Sequence, residues 1–300
     1  MVIFKKKELT ISRYQRQGLW YVLPFVIGFL VFNIIPIASS LYYSFTNLQL
    51  MNNPKWTGLR NFIYMFTLDD TFYQSLKVTL IYTFVSVPVK IAFALLIALI
   101  LTAEIKGLSV YRLLFYLPSI LGGSVVISIM WKFLFMQDGY INNILINLGL
   151  PAVKWLGPKM SLTTISILQV WQFGSSMVLF LAALKNVPTE YYEAANIDGA
   201  GRTRRFIKIT IPIISPIILF NLLMQLIQSF QHLTAPMVIT GGGPLHTTYL
   251  FGMKIWEEAF TNTKLGYSSA LSWVLVVIII GITLVIFKTS KVWVYDEANG

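Results

Sequence analysis

Long apolar stretches recur along the chain at about 20–43, 77–102, 112–134, 162–184, 212–231 and 268–287, separated by segments that carry charge or turn residues. Crossing about 30 Å of hydrocarbon takes roughly 20 helical residues. Each stretch therefore predicts a transmembrane helix, and the fold class is an all-α membrane protein with six spans. The 20–43 run is too long for a secretory leader, lacks a small-residue cleavage site and is followed by five more like it, so it reads as a span. No connecting loop approaches the length of a folded domain. That leaves a basic segment 1–19, one six-helix domain over 20–288 and a tail 289–300.

Composition sharpens the assignment. Apolar residues make up 56% and charged residues only 12% of the chain, with a mean hydropathy of +0.69. Soluble domains carry about 25% charged residues, so too few polar side chains are present to cover a water-facing surface. The absence of cysteine excludes disulfides and thiolate metal sites, and neither histidine sits in a metal-ligand cluster. The net charge of +11 is a topology signal. With both termini inside, the inner segments hold fourteen Lys and Arg, the outer segments eight, and Lys90 the one place inside a span. Basic residues are retained in short cytoplasmic loops, so the chain is predicted N-in/C-in, with its basic N-terminal residues against lipid headgroups and no role in nucleic-acid binding.

The longest inner loop, 185–211, carries charged helical sequence broken by glycine. Pro188 and Thr189 suit a helix start, Glu190 and Glu193 favour the positive end of its dipole, and Tyr191, Ala194, Ala195 and Ile197 supply an apolar face. Gly199 and Gly201 interrupt it, and Arg202 to Lys208 begins a second, basic helix leading to Pro212. Such a helix-turn-helix either fits another protein's groove or lies on headgroups. Between the first two spans, Trp56 to Phe66 predicts a short interfacial helix with aromatic anchoring.

These residues carry a resemblance. Glu193-Ala194-Ala195, three residues, Gly199, nine residues, Ile209, one residue, Ile211 and Pro212 resemble the EAA loop of bacterial ABC importer permeases, departing only by Ile211 in a leucine place. Leu184 to Pro188 and Asp198-Gly199-Ala200 are similar to the carbohydrate-uptake branch. So, in order, are Gly58 to Phe62, Tyr111 to Pro118, Thr240 to Pro244 and Gly266 to Ala270. The resemblance covers roughly 18–290 and implies the type I ABC importer permease fold of the maltose-type sugar systems. It implies a second homologous permease subunit, two ATPase subunits and an extracytoplasmic solute-binding protein as partners. It also implies that Glu193, Ala194, Ala195, Asp198 and Gly199 couple the spans to the ATPase. No Gly-Lys pair exists for a phosphate-cradling loop, so this chain is expected to bind no cofactor and to leave ATP and Mg to the partner ATPases.

A sugar pathway needs hydroxyl-bonding side chains and flat aromatic faces. Asn221, Gln225, Gln228 and His232 are spaced four, three and four residues apart, which places them on one face of the fifth span. Amides facing lipid are costly, so the stripe either lines the pathway or bonds neighbouring spans. Gln169, Trp171 and Gln172 in the fourth span, Trp131 in the third, and Ser269, Ser272 and Trp273 in the sixth are further candidates, with interfacial anchoring or packing the alternative for the aromatics. Lys90, beside Pro88 near mid-span, must find a polar surround. It either takes an acidic sugar's carboxylate or serves a snorkelling or interhelical contact. An ion-coupled secondary transporter would need intramembrane carboxylates, and none of the twelve Asp and Glu falls in the predicted spans. An intramembrane enzyme would need a convergent catalytic set, and none is visible.

Overall fold

The computed structural model describes residues 13–102 and 107–295. Most of the basic N-terminal segment, Lys106 of the second inner segment and the last five tail residues lie outside the described residues. The chain is helical almost throughout. Helix α1 runs Arg13–Phe29, then through a π-turn at Leu30–Ile34 into Ile35–Ser44. The short helix expected after Trp56 is α2, Arg60–Thr67, and α3 runs Asp70–Ile100.

The third predicted span is not one straight helix. It divides into α4, Leu108–Leu121, and α5, Val125–Leu134, which diverge by 101°. Gly122 and Gly123 lack the propensity to continue the helix, and Ser124 restarts it by accepting from the Val126 amide at 3.2 Å. After α6, Tyr140–Asn147, the fourth predicted span also breaks, into α7, Ser161–Trp171, and α8, Gly174–Lys185, bent by 43°. The apolar stretches at 112–134 and 162–184 thus each hold two helices that together are long and apolar enough for one span. Periodicity registers the apolar length but not a two- or three-residue interruption.

Helix α9, Thr189–Ile197, precedes α10, which runs Arg202–Arg205 and on through a π-turn at Phe206–Thr210 into Ile211–Phe230. The second basic helix expected in the loop is thus the first turns of the fifth span. Pro212 falls inside this continuous helix, immediately after the π-turn at Phe206–Thr210, the kind of local irregularity that accompanies a proline within a helix. Short α11, Thr234–Ile239, and α12, Phe251–Trp256, follow, the latter extended by a π-turn at Glu257–Thr261. Helix α13, Leu265–Trp293, closes the chain.

Helix α3 is the hub, packing against α7, α8, α10 and α12. Small residues make this possible. Ser75, Thr79, Thr83, Ser86 and Ala94 are buried on its inner face, and their hydroxyls bond locally or across, as in the 2.9 Å contact of Thr83 with Ser229 of α10. Apolar clusters fill the remaining space, one around Val87, Ile91, Met177 and Phe180, another around Phe72, Phe230, Phe251 and Leu271. Gly174 lets α8 approach α4: a Cβ there would meet the Phe115 carbonyl oxygen at 2.7 Å and Tyr116 Cα at 2.8 Å. Helix α1 instead leaves Trp20, Phe25, Phe32 and Ile35 exposed, and only its Ile35–Ser44 half packs on α13. An outward apolar helix of this kind faces lipid or another subunit.

The ends are ordered by specific contacts. The Tyr295 amide donates to Ser215 Oγ at 2.8 Å, which puts the exit of α13 beside the start of α10. The Gly266 amide donates to the Leu48 carbonyl at 2.9 Å, which puts the entry of α13 beside the exit of α1. The start of α1 and the exit of α13 therefore lie at the end of the bundle that carries α9. At the opposite end Asn61 Nδ2 donates to the Ser44 and Thr46 carbonyls, both at 2.8 Å, and anchors α2. Its neighbour Gly58 turns the chain at φ +60.

Candidate functional site

A cavity of about 340 Å3 opens where the helices break. It is lined by Lys90 of α3, Ser119, Gly122 and Gly123 at the α4–α5 break, Gln169 and Gln172 at the α7–α8 break, and Gln228, Gln231, His232 and Thr234 at the exit of α10. Each break supplies the polar groups that a straight apolar helix hides. Gln172 follows the last residue of α7 and donates Nε2 to the Gly122 carbonyl at 2.8 Å, joining the two breaks. Gly122 leaves the space: a Cβ there would overlap the Gln172 side chain. Gln169 accepts from the Tyr82 hydroxyl at 3.2 Å, and Tyr82 stacks on the His232 ring with centroids 5.7 Å apart.

The fifth-span stripe is therefore split. Asn221 and Gln225 are 1% and 5% exposed and do not line the cavity, whereas Gln228 and His232 do. Asn221 satisfies itself by donating to the Ile217 carbonyl at 3.0 Å, and Gln225 Oε1 is buried without a partner among the described residues. The helix stops at Phe230, so His232 leaves the helical face on which its spacing put it. Trp171 packs at 5.7 Å on Trp131 rather than lining the cavity, and Ser272 and Trp273 border a groove against α1 with Pro36, Ile37 and Ser40. Sequence reasoning missed Gln231, Ser119, Gly122 and Gly123. The signal was present: glycine interrupting an apolar segment marks a discontinuous helix, where transporters place polar sites.

The second candidate region is the 189–210 loop. Pro188 precedes the first helical residue, Thr189, as expected. Gly199, at φ +72, takes the left-handed position that ends α9. Its amide donates to the Asn196 carbonyl at 3.1 Å, and the Ala200 amide to that of Ala195 at 2.9 Å, so the last turn closes on itself. The Tyr192 hydroxyl and Thr210 Oγ1, 2.8 Å apart, fasten α9 to the base of α10. Glu193, Ala194, Asp198 and Gly199 are exposed and Ala195 is half-buried. Ile197, at 88% exposure, presents an isoleucine almost fully to solvent. A small cleft behind it joins Ala195 and Asp198 to Arg204, Arg205 and Lys208.

At the opposite end lies a buried charge cluster that no sequence pattern announced. Lys254, 1% exposed, pairs with Asp69 at 2.7 Å and Glu258 at 3.8 Å, and donates to Thr71 Oγ1 at 2.6 Å. Asp69 also caps α3 through the Thr71 and Phe72 amides and accepts from the Tyr267 hydroxyl. Burial alone would raise the Asp69 carboxyl. The hydrogen bonds from Lys254, Tyr267 and Thr71, with the Lys254 charge, outweigh burial and hold it below the ordinary carboxylate value. Nearby, burial and then the bond to Glu257 push the Tyr249 hydroxyl up.

Comparison with known proteins establishes the family. Residues 68–289 match the family described as binding-protein-dependent transport system inner membrane component. The chain is 48% identical over 298 residues to the probable ABC transporter permease protein YesP of Bacillus subtilis, covering 98% of this chain and 96% of that one. It is 32% identical to the sn-glycerol-3-phosphate transport system permease protein UgpA of Yersinia enterocolitica, covering 89% and 91%. It is also 28% identical to the probable starch degradation products transport system permease protein AmyD of Thermoanaerobacterium thermosulfurigenes, covering 93% and 97%. A chain in the structure of a bacterial alginate ABC transporter, in complex with alginate pentasaccharide-bound periplasmic protein, superposes with a TM-score of 0.80 at 22% identity, covering 95% and 98%. The fold is thus that of an ABC importer permease, and this chain belongs to the binding-protein-dependent transport system inner membrane component family: it is a multi-pass membrane permease subunit whose ATPase resides on separate subunits.

Proposed function

We propose that this chain forms, with a second homologous permease, the path by which a sugar or oligosaccharide crosses the membrane. An extracytoplasmic solute-binding protein delivers the sugar, and ATP and Mg act on two partner ATPase subunits. The observation that carries the sugar reading is the cavity itself, where amide and hydroxyl groups from discontinuous helices converge, as sites for hydroxyl-rich ligands require. The absence of any Asp or Glu from its lining argues against an ion-coupled mechanism, which would place a titrating carboxylate there.

The 185–211 loop is the coupling element in this reading. The start of α1 and the exit of α13 share its side of the bundle, and the excess of Lys and Arg in the sequence segments on that side supports a cytoplasmic, N-in/C-in reading. Closure of the ATPase pair would push on Glu193, Ala194, Ala195, Asp198 and Gly199, and the Tyr192–Thr210 contact would pass the displacement to α10 and so to Gln228 and His232. The relatives named for starch products and for glycerol phosphate, and the alginate transporter, are consistent with a polyhydroxylated cargo.

The test is uptake of labelled oligosaccharides into proteoliposomes holding the assembled importer, with Gln172→Ala compared against wild type. Loss of uptake with intact ATPase assembly supports the cavity as the pathway. Unchanged uptake would place the pathway elsewhere.

A further inference from the structure

Two lysines of this chain are buried among the described residues, and their surroundings differ in kind. Lys254, at the mouth opposite the coupling loop, is met by Asp69 and Glu258. Lys90, 4% exposed, contributes to the cavity wall. None of the ion pairs among the described residues includes it. The polar side chains that share the cavity are Ser119, Gln169, Gln172, Gln228, Gln231, His232 and Thr234, and no Asp or Glu is among them. A buried ammonium without a counter-charge is costly. Where this fold needs a lysine for its own architecture it provides carboxylates, as at Lys254. At Lys90 the neutral amides leave room for a negative charge that arrives from outside.

We propose that Lys90 receives a carboxylate of the transported saccharide, so that the cargo is an acidic, uronic-acid-bearing sugar. This rests on the reading of the cavity as the sugar pathway. The ammonium is a compact charge with three donors, matched to one carboxylate, while the glutamine amides take ring hydroxyls as donors and acceptors. A phosphate carries about −1.5 to −2 charge at neutral pH, and Lys90, the one Lys or Arg on this cavity wall among the described residues, matches a single negative charge better.

The experiment uses the assembled importer in lipid nanodiscs and measures binding by saturation-transfer NMR. The probes are a uronic-acid disaccharide, its carboxyl-reduced neutral counterpart and a phosphorylated hexose. Wild type should favour the uronate over the neutral sugar by about tenfold or more, the strength of a charge-assisted hydrogen bond. Lys90→Gln should bring that ratio close to unity and Lys90→Arg should keep most of it. Equal affinity for the two disaccharides in wild type, a preference that survives Lys90→Gln, or tighter binding of the phosphorylated hexose would overturn the proposal. If Lys90→Gln does not assemble, Gln228→Glu supplies the missing carboxylate from within the same cavity. The uronate preference must then fall, and its persistence overturns the proposal equally. Binding of the neutral disaccharide alone sinks the acidic cargo but not the sugar pathway, whereas binding of neither disaccharide sinks both.

Discussion

Replacing Asp69 with Asn tests whether the buried charge cluster holds three elements together. Asp69 is 7% exposed at its side chain and simultaneously caps α3, pairs with Lys254 of α12 and accepts from Tyr267 of α13. Asparagine caps about as well as aspartate, so the cap term nearly cancels and the change isolates the charge. Removing one partner of a buried pair leaves the other uncompensated, at about 3–5 kcal/mol. Glu258, 3.8 Å from Lys254, retains part of the counter-charge, which puts the expected loss near the lower figure, about 3 kcal/mol. The assay is unfolding in detergent followed by tryptophan fluorescence. A second variant, Asp69→Asn with Lys254→Met, removes both charges and should recover most of the loss, because apolar replacement of a buried pair is often neutral or better. The pH dependence has a defined sign. A carboxyl held below its unfolded value, about 3.9, contributes stability that is complete above that pH and lost as pH falls through the lower folded value. Wild type should therefore weaken below about pH 4 in a way that Asp69→Asn does not. A single variant as stable as wild type, or a double variant no better than the single, would refute the reasoning.

Glu193→Arg should leave membrane insertion intact while reducing ATPase copurification, since it reverses charge on an exposed turn of α9; unchanged copurification would remove Glu193 from the coupling surface. Gln225→Leu removes a buried acceptor that has no partner among the described residues, a penalty of about 1–3 kcal/mol, so melting should hold or rise and uptake persist. Gln228→Leu, on the cavity wall, should instead lower uptake, and paired transport and melting measurements would expose an error if the two variants behaved alike. Gly174→Ala forces a methyl against α4 backbone and should cost about 1–3 kcal/mol, read as lower thermal stability in detergent.

The legible part of the sequence was the part governed by solvent. Apolar length marked the long helical stretches, and the turn of 189–210 followed from Pro188, Gly199 and the charges around them, because local chemistry alone sets a helix start and a left-handed stop. What could not be read was long-range. Lys254 and Asp69 are 185 residues apart, and neither sits in a pattern that marks it as a partner of the other. The polar stripe divides for a related reason. The four-three-four spacing marks a face of α10 but not what packs against each turn of it. Asn221 and Gln225 are buried by neighbouring helices, while Gln228 and His232, at the exit of the helix, reach the cavity.

The helix breaks explain why the cavity exists where it does. An uninterrupted apolar helix exposes no backbone and few polar side chains, so six straight spans would have offered a sugar only scattered groups such as Lys90, Gln169 and Gln228. Gly122 and Gly123 free the chain to turn by 101°, which exposes the Gly122 carbonyl to Gln172 and carries Ser119 to the Ser175 amide at 3.0 Å. The Gln172 contact in turn satisfies backbone that the break released, as membrane depth demands. Any larger residue at position 122 would meet the Gln172 side chain. Glycine there lets Gln172 keep the position that bonds the Gly122 carbonyl, and the same residues that spoil the regularity of two spans create the polar chamber between them.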